Sequence, residues 1–386
     1  MSELTAGWIV DLLDGDWGPH GVLSVYVDVD PKLQSGGLPW EITIRNDLER
    51  ISSELRDGDD RDRWQAFDRR IEEIATELER LQAPDGSGRG RALFASLERK
   101  GRIEQVSMQA PLPTTALLEG CPHITPLVAA LDEGRPAGVA VLTQPGVEIW
   151  NVAMGSATKL HELQLDNWVD QARALGVSAG SLPVSTATDR DPARRDEHRR
   201  RFLEWVGELV SERVREHGWD RVLLTGDVRL AAGVQAGLNV ADDVDVFTDE
   251  TVIGGLSAPQ LVEATADALE ASTRRCEQRL VDQLRATVKA DGPAVLGLSQ
   301  TLALLAEGRV EHLVVDATRE LRAYPTGDGW WRAEKPVDHD SELVEHQVVE
   351  RIIERALADG IPVTPVDPPA SEALADVDGI GARLRW

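Results

Sequence analysis

Ala294 to Asp316 reads AVLGLSQTLALLAEGRVEHLVVD, and its punctuation decides the fold class. A short apolar run, Ala294 to Leu296, ends at Gly297. A helical stretch from Ser299 to Glu307 is closed by Gly308, and a second apolar run, His312 to Val315, stops at Asp316. Strand, glycine, helix, glycine, strand is the pattern of alternating α/β layers, because each change of hydrophobic period needs a residue free to turn the chain. Upstream, Ser257 as a cap and Pro259 near the first turn open a long helix that runs to about Lys289. Its apolar side is marked by Leu261, Thr265, Leu269, Leu280, Leu284 and Val288. Downstream, a helix over Glu342 to Asp359 and a strand over Ile361 to Val366 complete a three-layer α/β/α domain, 257–386.

Working toward the N-terminus, 137–256 reads as a second domain. Ala137 to Leu142 is a strand that turns at Gln144 to Gly146 and returns as Val147 to Ala153. Beyond it come a helix, a buried strand at Arg221 to Thr225, a short helix at Leu230 to Leu238 and a strand at Val244 to Phe247. That order predicts a mixed sheet covered by helices. The first domain, 1–136, is also α/β. A helix near Leu4 to Leu13 precedes VLSVYVDV at Val22 to Val29, whose alternation marks a strand. Helices follow over Trp40 to Leu55 and Arg61 to Leu81, then paired strands at Ala92 to Leu97 and Ile103 to Met108. No internal repeat is visible.

The 386 residues carry a formal net charge of -26, which repels polyanions at long range and argues against general binding of DNA. Lysine occurs five times, so arginine supplies most of the positive charge. Two widely separated cysteines, Cys121 and Cys276, without metal-ligand spacing, point to a reducing cytoplasm. Neither a signal peptide nor a membrane-spanning apolar run is expected.

Against this acidity, Asp189 to Arg201 (DRDPARRDEHRRR) packs six arginines into thirteen residues. Pro192 suits a first helical turn and Asp189 or Asp191 a cap, so the helix starts near Asp191. Phe202, Leu203, Val206, Leu209, Val210 and Val214 give it one apolar stripe that ends before Gly218. Arg195 and Arg199 continue the Phe202/Val206 line backwards, beyond the core. Gly176 to Thr188 (GVSAGSLPVSTAT), small and polar without a period, reads as a loop before the helix. Two readings compete: a focused anion contact, and a solvated helix start whose arginines pair with Asp189, Asp191, Asp196 and Glu197.

Other constellations carry less. Asp28 and Asp30 at a strand end suggest a magnesium site only with a third acid, which the sequence does not place; solvated acids beside the Pro31 turn are the preferred reading. Glu342 and His346, with Asp338, His339 and Asp340 nearby, permit a metal pair, yet capping by Asp340 or Ser341 explains them. Gly226 and Asp227 imitate a phosphate-binding turn without a full glycine fingerprint. Trp330-Trp331, in a hairpin turn near Gly327 and Gly329, and Arg383, Arg385 and Trp386 offer base stacking or edge packing. No cofactor and no metal are expected.

The pattern as a whole resembles the bacterial branch of the archaeo-eukaryotic class-one peptide-chain release factor and Pelota superfamily, the branch that includes Balon-like ribosome hibernation factors. Gly297, Thr301-Leu302, Leu304-Leu305, Gly308 and Leu313-Val314-Val315 are similar to its last domain. VLSVYVDVDP at Val22 to Pro31 and DGIGARLRW at Asp378 to Trp386 are similar to its bacterial members. The resemblance implies an RNase H-like central domain, a last domain of α/β/α type, and a ribosomal A site as the place of action. In release factors the loop before the basic helix carries Gly-Gly-Gln; here Gly180 is followed by Ser181 and Leu182. Gly254-Gly255 is followed by Leu256, and the codon-reading tetrapeptide is absent.

The expected function is therefore a ribosome-binding factor in hibernation or rescue that does not hydrolyse peptidyl-tRNA. Arg194, Arg195, Arg199, Arg200 and Arg201 lead as contacts to ribosomal RNA, followed by Arg190 and His198, and a translational GTPase is a candidate partner. The alternative is a peptidyl-tRNA hydrolase with a non-standard loop, for which Ser181, Ser185 and Thr186 are the weak catalytic candidates. A further alternative is a stress protein that kept the fold and left the ribosome.

Overall fold

Strand β1 (Val22–Asp28) runs antiparallel to both its neighbours in a sheet of order β3-β2-β1-β4, with β2 (Gly90–Ser96), β3 (Ile103–Met108) and β4 (Thr115–Glu119). The structure, a computed structural model, describes residues 4–29, 39–58, 60–84, 87–176, 191–251, 253–326, 330–334 and 347–386. One face of the sheet, through Leu23, Val25, Leu93 and Ala95, packs under α2 (Pro39–Asp57), α3 (Arg61–Glu73) and α4 (Ala75–Gln82). The opposite face is buried as well. Trp8 of α1 (Ala6–Leu13) lies 6.1 Å from Phe94, which meets Tyr26 edge to face at 5.7 Å. Ser24 and Tyr26 of the β1 alternation are thus interior, and both are satisfied: Ser24 Oγ accepts from His123 N at 3.0 Å and the Tyr26 hydroxyl donates to the His123 carbonyl. The single helix expected over Arg61 to Leu81 is two, divided at Ile74 (φ -102°, ψ 12°). Sequence reading did not place β4 or α5 (Thr125–Glu133).

The central sheet has the order β7-β6-β5-β8-β9. It is built from β5 (Ala137–Leu142), β6 (Gly146–Ala153), β7 (Ser156–Gln164), β8 (Arg221–Gly226) and β9 (Asp245–Asp249). Only β6 runs against the others, which gives the RNase H-like mixed sheet. Ala140, Leu142, Val222 and Leu224 face α7 (Pro192–His217) and α8 (Val228–Gly237), while α6 (Trp168–Ala174) joins the same core through Trp168. Val139, Val141 and Leu223 face Leu261 at the start of α9 (Ala258–Lys289). Burial on both sides explains why β5 and β8 read as continuous apolar runs. Helices α7 and α8 approach closely because Gly207 and Gly237 lack side chains: a Cβ on Gly237 would lie 2.0 Å from the Glu204 carbonyl oxygen.

The last sheet has the order β10-β15-β11-β14, formed by β10 (Ala294–Leu296), β11 (Val310–Val315), β14 (Val363–Pro365) and β15 (Ile380–Leu384). Consecutive Leu313, Val314 and Val315 are all buried, so helices cover both of its faces. Val314 meets Val281 and Leu284 of α9. Helices α10 (Leu298–Ala306) and α11 (Val348–Ala358) complete the α/β/α layering, and the hairpin β12 (Tyr324–Thr326) and β13 (Trp330–Arg332) lies between them in sequence. By contacts the chain forms two compact units, 134–276 and 1–133 with 277–386, the division falling inside α9.

Within the second of these units, the first turn of α11 docks on the start of α5. Buried Glu350 accepts from Ile124 N at 2.5 Å and Thr125 N at 3.3 Å, and from the Thr125 hydroxyl, so a carboxylate borrowed from far along the chain caps α5. His123 Nδ1 lies 3.3 Å from Glu119 and 3.4 Å from Glu350, and Arg351 reaches Glu119 at 3.4 Å and also pairs with Glu354. Burial raises the Glu354 carboxyl to about 7, against the opposing pull of Arg351 and with help from Glu350 and Glu119. For His123, burial acts to lower the pKa, but the Glu119 and Glu350 carboxylates outweigh it and the net movement is upward. The neighbouring Cys121 thiol and Tyr26 hydroxyl are both pushed up, chiefly by burial, and stay protonated.

Glu354 and His123 therefore hold more protons folded than unfolded, and stability must fall as pH rises through this range. For Glu354 the window opens at the ordinary 4.5 and closes near 7, with His123 extending it upward. Between mildly acidic and mildly alkaline pH the wild-type protein should lose on the order of 2 kcal/mol in denaturant titrations, whereas Glu354→Gln should lose much less. An unchanged pH slope in that variant would assign the effect to other groups.

Candidate nucleic-acid interface

Asp191 caps α7 through its side chain, which accepts from Ala193 N at 3.0 Å, and Pro192 occupies the first turn. The helix ends at Gly218 in the left-handed region (φ 64°, ψ 36°). Its buried stripe is Phe202, Leu203, Trp205, Val206, Leu209, Val210 and Val214, so the helix outruns its core at the N-terminal end. Trp168 fixes that end. Its ring lies 5.8 Å from His198, 6.1 Å from Phe202 and 5.4 Å from Trp205.

His198 belongs to this clamp and not to the surface. It is 3% exposed, and Nε2 accepts from the Trp168 indole at 3.1 Å. A nitrogen that accepts there cannot also donate to the Leu165 carbonyl 3.3 Å away, so the ring proton resides on Nδ1, which is buried without a hydrogen-bond partner among the described residues. The 198, 202, 205, 209 spacing places it on the apolar face, a signal present in the sequence.

The arginines divide by helix face. Arg200 donates to Glu197 and Glu204, and Arg201 donates to Glu197 at 2.7 Å, all at exposed sites. These are i,i+3 and i,i+4 pairs of modest strength. Arg194 leans on Asp191 at 3.8 Å. Arg195 and Arg199 lie one turn apart, exposed, with no acidic partner among the described residues. The solvated-helix reading thus holds for one face, and the focused-contact reading is left with Arg195 and Arg199.

Arg229 joins them by topology. Helix α7 leads back into the start of β8, and α8 leaves the end of β8 to return to the parallel β9, so both helices run against β8. Their N-termini, each a partial positive charge, lie at one end of the central sheet. Arg229, in the first turn of α8, is exposed, with no acidic partner for its side chain among the described residues. Its isolation in the sequence hid it.

The remaining candidates find other employment or lie outside the described residues. Arg190, Ser181, Ser185 and Thr186 are outside them, as are Asp30, His339, Glu342 and His346. Asp28 is held by Arg89 in a two-pronged pair at 2.6 and 2.8 Å, which occupies the oxygens a magnesium ion would need. Gly226 (φ 122°) lets β8 approach β5, since a Cβ would lie 2.2 Å from the Leu142 carbonyl oxygen, and Asp227 caps α8 through Arg229 N at 2.8 Å. Arg355 covers the Trp330 ring at 4.6 Å, and Arg383 pairs with Glu311 at 3.0 Å. Trp386 stays 68% exposed. Among the described residues no cluster of three or more His, Cys, Asp and Glu is arranged to hold a metal, and no helix is long and apolar enough to cross a membrane.

An RNase H-like unit with an arginine-bearing helix start is the class of protein that this geometry defines. Residues 122–273 match the model of bacterial archaeo-eukaryotic release factor family 10. This segment, within the central domain, is what the chain shares with that family. Among solved structures it is similar to an archaeal translation termination factor, aRF1, at 16% identity over 100% of this chain and 99% of that one, TM-score 0.26. It is similar also to Dom34 of S. cerevisiae, a translation termination-like factor, at 10% identity over 77% of this chain and 79% of that one, TM-score 0.41. Pelota of Archaeoglobus fulgidus matches at 10% identity over 77% and 79%, TM-score 0.34. No curated protein matches this sequence.

The pairing on the outer face is itself testable. Hydrogen bonds from Arg200 and Arg201 lower the Glu197 carboxyl to about 2. A carbon-detected NMR titration should find Glu197 charged well below the ordinary 4.5, and Arg200→Ala with Arg201→Ala should return it toward that value. Titration near 4.5 in the unaltered protein would mean that these two arginines are not engaged.

Proposed function

We propose that this protein is a ribosome-binding translation factor that acts at or near the A site in hibernation or rescue and does not hydrolyse peptidyl-tRNA. The observation that carries the reading is the coincidence of the release-factor family match, 122–273, with the exposed Arg195 and Arg199 at the start of α7. Guanidinium groups bond phosphates in pairs and stack on unpaired bases, the two contacts that folded RNA offers. With a net charge of -26 the body of the protein repels RNA, so such contact is confined to this helix start. The segment before α7 supports a non-hydrolytic role, since it carries Gly180-Ser181-Leu182 and no Gly-Gly-Gln. A translational GTPase as partner, and the cytoplasm as compartment, belong to the same proposal.

The test is co-sedimentation with vacant ribosomes across a salt series. The unaltered protein should pellet at low salt and dissociate as salt rises. Arg195→Glu with Arg199→Glu should abolish pelleting, and the milder alanine pair should flatten the log–log salt slope by roughly 1.5–2. Arg200→Ala with Arg201→Ala should have the smaller effect, and no peptide should be released from loaded ribosomes. Equal pelleting by the glutamate variant would remove α7 from the contact; release of peptide would favour the hydrolase reading.

A further inference from the structure

On the outer side of the first sheet, α2 on one flank and α3 with α4 on the other border an open cleft of about 610 Å3. Its floor is apolar: Ile44 and Phe67 are core residues whose edges reach the cleft, and Leu48 and Ile71 are half-buried there. Its rim is acidic. Glu41, Glu49, Asp68 and Glu79 stand around it, all exposed, and none has a cationic partner among the described residues; Arg45 is the single opposing charge. On α2 the lining residues 41, 44, 45, 48, 49 and 52 follow one face, so the cleft extends along about 16 Å of helix.

We infer that this cleft docks a basic amphipathic helix of about three turns from a protein partner. The length equals that of the lining face of α2, the apolar floor matches one stripe of such a helix, and the four carboxylates match lysines or arginines flanking the stripe. RNA is disfavoured at the same place, because its phosphates would face these four exposed carboxylates over an apolar floor, with Arg45 the single cation in the lining. The inference is independent of the arginines of α7, which lie in the other compact unit.

The probe is a fluorescein-labelled peptide of leucine and lysine, leucines at helical i, i+3, i+4 spacing, with a glutamate-for-lysine peptide as its counterpart. Anisotropy is read against the full chain. Binding of the lysine peptide alone is expected. Glu41→Lys, Glu49→Lys, Asp68→Lys and Glu79→Lys together should weaken it by roughly tenfold or more. Asp11→Lys, Glu320→Lys, Glu334→Lys and Glu372→Lys, which change the net charge equally at exposed sites elsewhere, should weaken it by less than about threefold. Equal weakening in both variants would reduce the effect to general attraction by an acidic body and overturn the proposal, as would the absence of binding. Sedimentation equilibrium adds an arm: self-association abolished by the rim variant would make the occupant a second copy of this chain and likewise overturn it. Should the rim variant fail to fold, a photoreactive leucine analogue in the peptide must label α2, α3 or α4 of the unaltered protein; labelling elsewhere refutes the site.

Discussion

The helix α7 is longer than the apolar stripe that holds it, and that mismatch organises the central unit. From Phe202 onward the helix is tied to the sheet by buried side chains, each contributing roughly 1.5–3 kcal/mol of burial. The preceding turns are anchored on one side only, by Trp168 against His198. What is left over at the end is a rigid stub whose side chains have no core to enter. Glycines at 207 and 237 draw α8 alongside, so a second helix start is brought to the same end of the sheet.

Charge is disposed in the same spirit. Arg91, 1% exposed, donates to the carbonyls of Leu81 and Ala83 at the end of α4, and Arg221, 2% exposed, bonds Asp220 and the Arg135 carbonyl. These arginines do structural tasks that a desolvated lysine would do poorly. Others neutralise glutamates on their own helix. Against a background of 67 acidic residues, a short-range anion contact can be focused where Arg195, Arg199 and Arg229 stand, exposed and without acidic partners for their side chains among the described residues.

Where local signals were strong, the sequence was legible. Asp191, Pro192 and Gly218 bound α7 because capping is a property of a few adjacent residues. The central mixed sheet was legible because β5 and β8 are buried on both faces. Strand β7, SATKLHELQ, was not, since an exposed edge strand needs no hydrophobic pattern. Strand β15 was seen only as a closing motif, yet it pairs with β10 and β11 in the middle of the last sheet, a long-range fact that no local pattern reports. At the candidate site, the arginine cluster was visible but its division was not. Self-pairing with Glu197 depends on which face each arginine takes, and His198 was drawn in with the arginines by adjacency although its spacing put it in the core. Arg229 and the Glu350 cap of α5 required the fold itself.

The central claim is that the α7 start touches ribosomal RNA. The most direct measurement is a cryo-EM reconstruction of the protein on vacant ribosomes, resolved well enough to trace α7. The account predicts the guanidinium groups of Arg195 and Arg199 within hydrogen-bonding distance of ribosomal RNA phosphates or stacked on its bases. A bound protein whose α7 start faces solvent would contradict it.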